Sequence, residues 1–306
     1  MAKFFLTSLK GFALGVSMVL PGISGGTIAF VMGIYEKLIQ EISSFKIKHL
    51  KNLILCFSLK KTQLKKNLSI LKNSWDWPFL TPLLIGMIIA LALFISWAGD
   101  FINQYSFEFY SIIFGLILGS VISTLQQAQK SFSFFLFLFC SSLLNFSIFA
   151  FGSELVTIPK EISNLIFLPA GFLVSMALIV PGISGSYLLL VLGLYEQTLF
   201  ALKSLDFFVI SLFTVGALLG FLSTAKLIQK MLKKYWNQSL AVILGLMLSS
   251  LYAIYPLEKS SFSDFLLFNK NHALFLIYTL AGFFCLLAFH FMFFSRQKEK
   301  HLETTT

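Results

Sequence analysis

Two stretches of the chain carry the same pentapeptide, Pro21-Gly22-Ile23-Ser24-Gly25 and Pro181-Gly182-Ile183-Ser184-Gly185, each set inside a long apolar run. Proline lacks the N–H that a helix ladder needs and glycine tolerates backbone angles that other residues avoid, so this pattern ends one helix and starts another. In hydrocarbon such a break strands polar backbone groups at a cost on the order of several kcal/mol each, and it survives only against protein or a wet cavity. The half-helix after each break, beginning at Ser24 to Thr27 or Ser184 to Tyr187, opens with N–H groups that have no helical partner and with the positive end of the helix dipole. Such an end suits an anion, phosphate above all. The candidate ligands are Pro21, Gly22, Ser24, Gly25, Gly26 and Thr27 at the first break, with Pro181, Gly182, Ser184, Gly185, Ser186 and Tyr187 at the second. The plainer alternative is that serine caps and small residues pack there. A second copy shifts the preference to a cradle built from both.

Glu36 and Glu196 stand at matched positions beyond the two breaks. Two roles are open for them: capping a hairpin's exit at the headgroup level, or carrying protons or sodium, since ionisable groups near membrane depth are usually functional. Tyr35 and Tyr195 beside them read as interfacial anchors. Other chemistry finds little footing. Gly22-Ile23-Ser24-Gly25-Gly26 matches G-x-S-x-G, but no strand precedes it and Ser186 stands where the twin would need glycine. His49, His272, His290 and His301 have no metal-ligand spacing, and Cys56, Cys140 and Cys285 form neither CxxC nor an even set. No metal or other cofactor is expected.

The elements that position these residues belong to a membrane protein. Hydrophobic residues make up 57% of the 306 and charged ones 12%, with a mean hydropathy of +0.86, against roughly 25% charged in soluble domains. The net charge of +10 gathers in a few polar segments. It orients the chain in its membrane and does not point to nucleic acid.

An offset of 160 residues pairs Gly11 with Gly171, Phe12 with Phe172, Val31 with Val191, Gly33 with Gly193 and Tyr35-Glu36 with Tyr195-Glu196. Further on, an offset of 130 pairs Asp76 with Asp206, Gly86 with Gly216, Gly115 with Gly245 and Ser120 with Ser250. Two divergent copies of one unit therefore fill the chain, residues 1–152 and 153–300, with a polar tail at 301–306. The first copy holds a lysine-rich insertion at 45–74, which reads equally as a solvated loop or as a helix on an anionic leaflet.

Each unit reads as a re-entrant broken hairpin, at 4–42 and 166–202, followed by three spans. In the first unit these are Phe79–Trp97, Phe107–Leu125 and Phe132–Phe151, and in the second Phe207–Leu222, Leu240–Tyr255 and Ala273–Phe294. Lysines on both flanks of the first hairpin place both in the cytoplasm, with the N- and C-termini. Three crossings per unit then invert the second unit and bring the two tips together near the midplane. The fold class expected is an all-α polytopic membrane protein of two inverted-topology repeats.

At Pro21 to Thr27 with Tyr35-Glu36, and at Pro181 to Tyr187 with Tyr195-Glu196, the sequence resembles the bacterial polyprenyl-phosphate translocases of the PopT type, and the likeness spans nearly the full chain. The resemblance implies a flippase in the bacterial cytoplasmic membrane that returns undecaprenyl phosphate, the lipid carrier of cell-wall sugars, from the outer to the inner leaflet. It also implies coupling to an ion gradient, with the polyprenyl phosphate and surrounding lipids as partners. It is no enzyme on this reading. Polyprenyl-diphosphate phosphatases are a rival resemblance, but Gly25 and Gly185 replace the arginine that would hold the phosphate being transferred. A small-anion channel or exchanger is the third reading, since such proteins also use breaks at helix N-termini.

Overall fold

The structure is a computed structural model that describes residues 2–19, 24–45, 75–94, 98–126, 128–155, 163–256 and 270–303. Every regular element among them is helical. The first half holds α1 (Ala2–Val19), α2 (Gly25–Val31), α3 (Tyr35–Ser43), α4 (Trp77–Phe94), α5 (Ala98–Leu125) and α6 (Phe132–Leu155). A 3₁₀ turn (Asn164–Ile166) opens the second half, which continues with α7 (Phe167–Ile179), α8 (Gly185–Val191), α9 (Tyr195–Lys203), α10 (Phe207–Lys234), α11 (Trp236–Ile254) and α12 (Lys270–Glu303).

Five helices among the described residues are long and apolar enough to cross a membrane: 104–125 in α5, 132–151 in α6, α10, α11 and 271–288 in α12. Taking α8 and α9 as one broken span would make six. The outer face of α6, with Phe135, Phe139 and Leu144 exposed, is apolar, as a hydrocarbon solvent requires. The span expected at 79–97 appears as α4, whose last expected residues, 95–97, fall outside the described set. So do Pro21, Gly22, most of the 45–74 insertion and the end of the polar tail.

Several helices differ in extent from their expected spans, for local reasons. Helix α10 continues past Leu222 to Lys234 because Ala225, Lys226, Leu227, Gln229 and Lys230 are good helix formers, and Lys233 and Lys234 sit well at its negative end. Helix α5 begins before Phe107, across a kink where Tyr105 leaves helical geometry (φ −127°, ψ 26°). The segment after each break is two helices instead of one, with α8 and α9 bent 111° apart. The cause is a glycine that ends the first piece. Gly33 and Gly193 both take φ 65°. The Gly33 N–H donates to Phe30 O and the Ile34 N–H to Ala29 O; Gly193 and Leu194 repeat the pattern with Leu190 O and Leu189 O. This is a Schellman stop, which needs the left-handed backbone that glycine provides without strain.

Several positions paired by the two offsets make equivalent contacts. A Cβ on Gly11 would overlap Leu83 O, and one on Gly171 would overlap Phe213 O. In return, Gly86 lies against Ser8 O and Gly216 against Leu168 O. Backbone thus meets backbone where α1 crosses α4 and where α7 crosses α10. Asp76 and Asp206 both cap the helix that follows, Asp76 accepting from Phe79 N–H at 3.2 Å and Asp206 from Phe208 and Val209 N–H at 3.1 and 3.2 Å. Lys37 also donates to Asp76, and that hydrogen bond holds the carboxyl below the usual carboxylate range.

The other two principal pairings cross between the halves: α5 packs on α12, and α6 on α11. Glycine again sits at the crossings, Gly115 against Thr279 O and Gly245 against Leu138 O. Gly86→Ala and Gly216→Ala should each lower stability by about 1–3 kcal/mol, as overpacking does. Thermal unfolding in detergent checks this, and the two losses should be alike because the two crossings are alike.

Candidate functional site

The two breaks meet. The Gly182 N–H, at the second tip, donates to Thr27 Oγ1 at 2.7 Å, and Ser24 Oγ donates to Val180 O at 3.2 Å. Gly26 lies so close to the second break that a Cβ would overlap Ile179 O and come within 3.1 Å of Pro181 N. Glycine is required there by approach, not by backbone angle. Gly182 is required on both counts: its φ is +88°, and a Cβ would run into the backbone of Leu246 on α11. Ser24, Thr27, Ser184 and Pro181 are all buried.

Between the tips lies a cavity of about 10 Å³, lined by Ser24, Thr27, Gly182, Ser184 and Ser250 with Ile117, Ile183 and Ile254. That is room on the order of one water molecule. Among the described residues its lining is rich in hydroxyls and holds no charged side chain.

The other candidate residues have other partners. Ser184 acts as a cap, its Oγ accepting from Tyr187 N–H at 3.4 Å and lying 3.0 Å from Ser186 Oγ. Ser24 stands at the matching cap position of α2 without a side-chain cap bond, its hydroxyl turned to the other tip. Tyr187 sends its hydroxyl to Phe149 O on α6 at 2.9 Å. A Cβ on Gly185 would press Val174 at 3.2 Å, whereas one on Gly25 would find ordinary room, 3.9 Å from Ser17 Oγ. Glu36 and Glu196 are exposed in the first turns of α3 and α9. A seven-residue helix of about 10 Å separates each of them from the tips. Glu196 lines an open pocket of about 390 Å³ with Asp206, Asn164 and Gln197.

Tyr35 corrects an expectation. It is 3% exposed, with its ring edge-on to Phe30 at 5.9 Å, because the turn at Gly33 swings the start of α3 back into the core. Lys10 is likewise more than a flanking charge. Its ammonium donates to Met32 O at 2.7 Å, closing the carbonyl end of α2.

Sequence reasoning missed Asn145. It is fully buried on α6, and its Nδ2 lies 3.0 Å from Gly182 O, 3.1 Å from Leu246 O and 2.8 Å from Ser249 Oγ. The signal was available: Asn145 is the sole amide residue between Phe132 and Phe151, and a polar group in such a segment is costly unless it has work. Among the described residues no cluster of three or more histidine, cysteine or acidic side chains could hold a metal ion.

Comparison with known proteins gives these contacts a context. A polyprenyl-phosphate transporter of Vibrio cholerae serotype O1 is 34% identical over 263 residues, covering 84% of this chain and 80% of the relative. A polyprenyl-phosphate transporter of Staphylococcus aureus is 28% identical over 269 residues, covering 82% and 86%. No solved structure matches the chain. A family model described as VCA0040-like, undecaprenyl phosphate translocase-like, matches residues 14–265. With residues 14–265 matched, both tips included, the chain belongs to the VCA0040-like, undecaprenyl phosphate translocase-like family.

Proposed function

We propose that this protein is a flippase that returns undecaprenyl phosphate from the outer to the inner leaflet of the bacterial cytoplasmic membrane, taking the lipid phosphate between the two tips. The observation that carries the reading is the direct meeting of the breaks, Gly182 N–H on Thr27 and Ser24 on Val180, in a chain whose relatives are named polyprenyl-phosphate transporters. Backbone N–H groups and hydroxyls offer the headgroup several hydrogen bonds without a fixed cation, so the phosphate is held and then released. Opening consists of parting the tips on one side or the other while the tail stays in lipid.

In this reading the second unit is inverted relative to the first, and the two hairpins enter from opposite faces. Lysine placement supports that arrangement, and the matched glycine crossings support the repeat it requires. Glu36 and Glu196, at the far ends of α2 and α8, are the candidate carriers of a driving proton or sodium ion. Transport is favoured over hydrolysis because the tips offer no arginine to stabilise a phosphoryl group in transfer.

Purified protein in liposomes should move labelled undecaprenyl phosphate between leaflets, release no inorganic phosphate and pass no chloride current. Phosphate release would make it an enzyme, and chloride flux a channel. A Cβ at Gly25 finds ordinary room, and with Gly25→Asn as the control of equal size the charge of Gly25→Asp should lower translocation at least about tenfold further; equal losses would remove the anion site. Topology has its own check. With the native cysteines replaced, Lys46→Cys should react with an impermeant thiol reagent only from the cytoplasm and Ser204→Cys only from outside.

A further inference from the structure

Asn145 is in an unusual position. Its amide nitrogen faces two backbone carbonyls, Gly182 O at the second tip and Leu246 O on α11, together with Ser249 Oγ. Carbonyls only accept, so the NH₂ group must face them. That orientation leaves Asn145 Oδ1 buried and without a hydrogen-bond partner. A buried amide oxygen left unpaired is costly, and such a group is recovered by any rearrangement that brings it a donor.

The twin helix crossing has nothing comparable. Gly115 on Thr279 matches Gly245 on Leu138, which sets the correspondence between the α5–α12 and α6–α11 crossings. By that correspondence Asn145 answers to Leu286 and Ser249 to Gly119. Those two also touch: a Cβ on Gly119 would stand 3.0 Å from Leu286 Cδ2. A hydrogen-bonded pair in one crossing is therefore an apolar contact in the other. Leu286 has no group that could hold a tip carbonyl.

We propose that Asn145 is a positioning residue that pins the second tip to α6 and α11, so that the two hairpins are held with unequal strength. Moving the second tip requires Asn145 to let go of Gly182, while the matching place in α12 is held by Leu286, whose side chain can bond no carbonyl. The transport consequence rests on the flippase reading above, but the restraint itself does not.

Two experiments in lipid nanodiscs and liposomes test it. In Asn145→Leu protein, amide hydrogen exchange across 182–188 should quicken at least about tenfold, the effect of losing one net hydrogen bond, while 28–31 stays within about twofold. Unchanged exchange at 182–188 overturns the proposal, whether or not the protein moves lipid. If Asn145→Leu fails to insert, Asn145→Ala, which removes the amide and suits a helix, is measured in the same way, and unchanged exchange at 182–188 in it refutes the restraint. Wild-type protein that moves no polyprenyl phosphate at all removes the flippase reading and leaves the exchange result standing.

Discussion

The structure depends on one obligation: a chain broken inside an apolar bundle must find partners for the groups its helices no longer satisfy. Gly182 meets it at both ends of its residue, N–H to Thr27 of the other tip and C=O to Asn145 of α6. Neither partner lies in its own half. A soluble protein could leave such groups to water at little cost, but hydrocarbon offers no such relief. The tips are therefore held in register by the polar groups of the breaks themselves.

The glycine crossings set the distances at which this is achieved. Where Gly86 lies on Ser8 O and Gly216 on Leu168 O, the helices touch backbone to backbone, and van der Waals contact replaces the hydrophobic drive that lipid cannot supply. Helices packed so closely have little room to slide, so they act as a frame for the tips. Gly26 and Gly182 extend the same principle to the tips themselves, where a single added methyl group would meet main-chain atoms. The small cavity between hydroxyls is what remains once this packing is complete.

Much of this was legible in the sequence, and the rest was hidden for identifiable reasons. Proline and glycine announce a break wherever they stand together, so the positions of both tips could be read without a structure. The glycines and Asp76 with Asp206 were legible as matched pairs through the two offsets, but not as helix crossings and caps, which only the structure displays. The far end of α10 and the two-piece segments after the breaks were not legible, since helix formers outlast the apolar run and one Schellman glycine redirects a whole segment. Tyr35 was misread because its type suits a membrane surface as well as a core, and only the turn before it decides. Asn145 escaped because its partners are 37, 101 and 104 residues away, beyond the reach of any periodic pattern.

The exchange of helices between halves bears on how the chain is made. Helix α6 ends at Leu155, and its partner α11 begins only at Trp236. Helix α5 waits longer still, for α12 at Lys270. During synthesis both must stay in the bilayer with their glycine-lined faces open, and Asn145 short of its α11 partners Leu246 and Ser249, until the ribosome has delivered most of the second half. Final assembly is thus a late event for this protein, and a truncated or stalled product would present the insertion machinery with a polar amide and no place to put it.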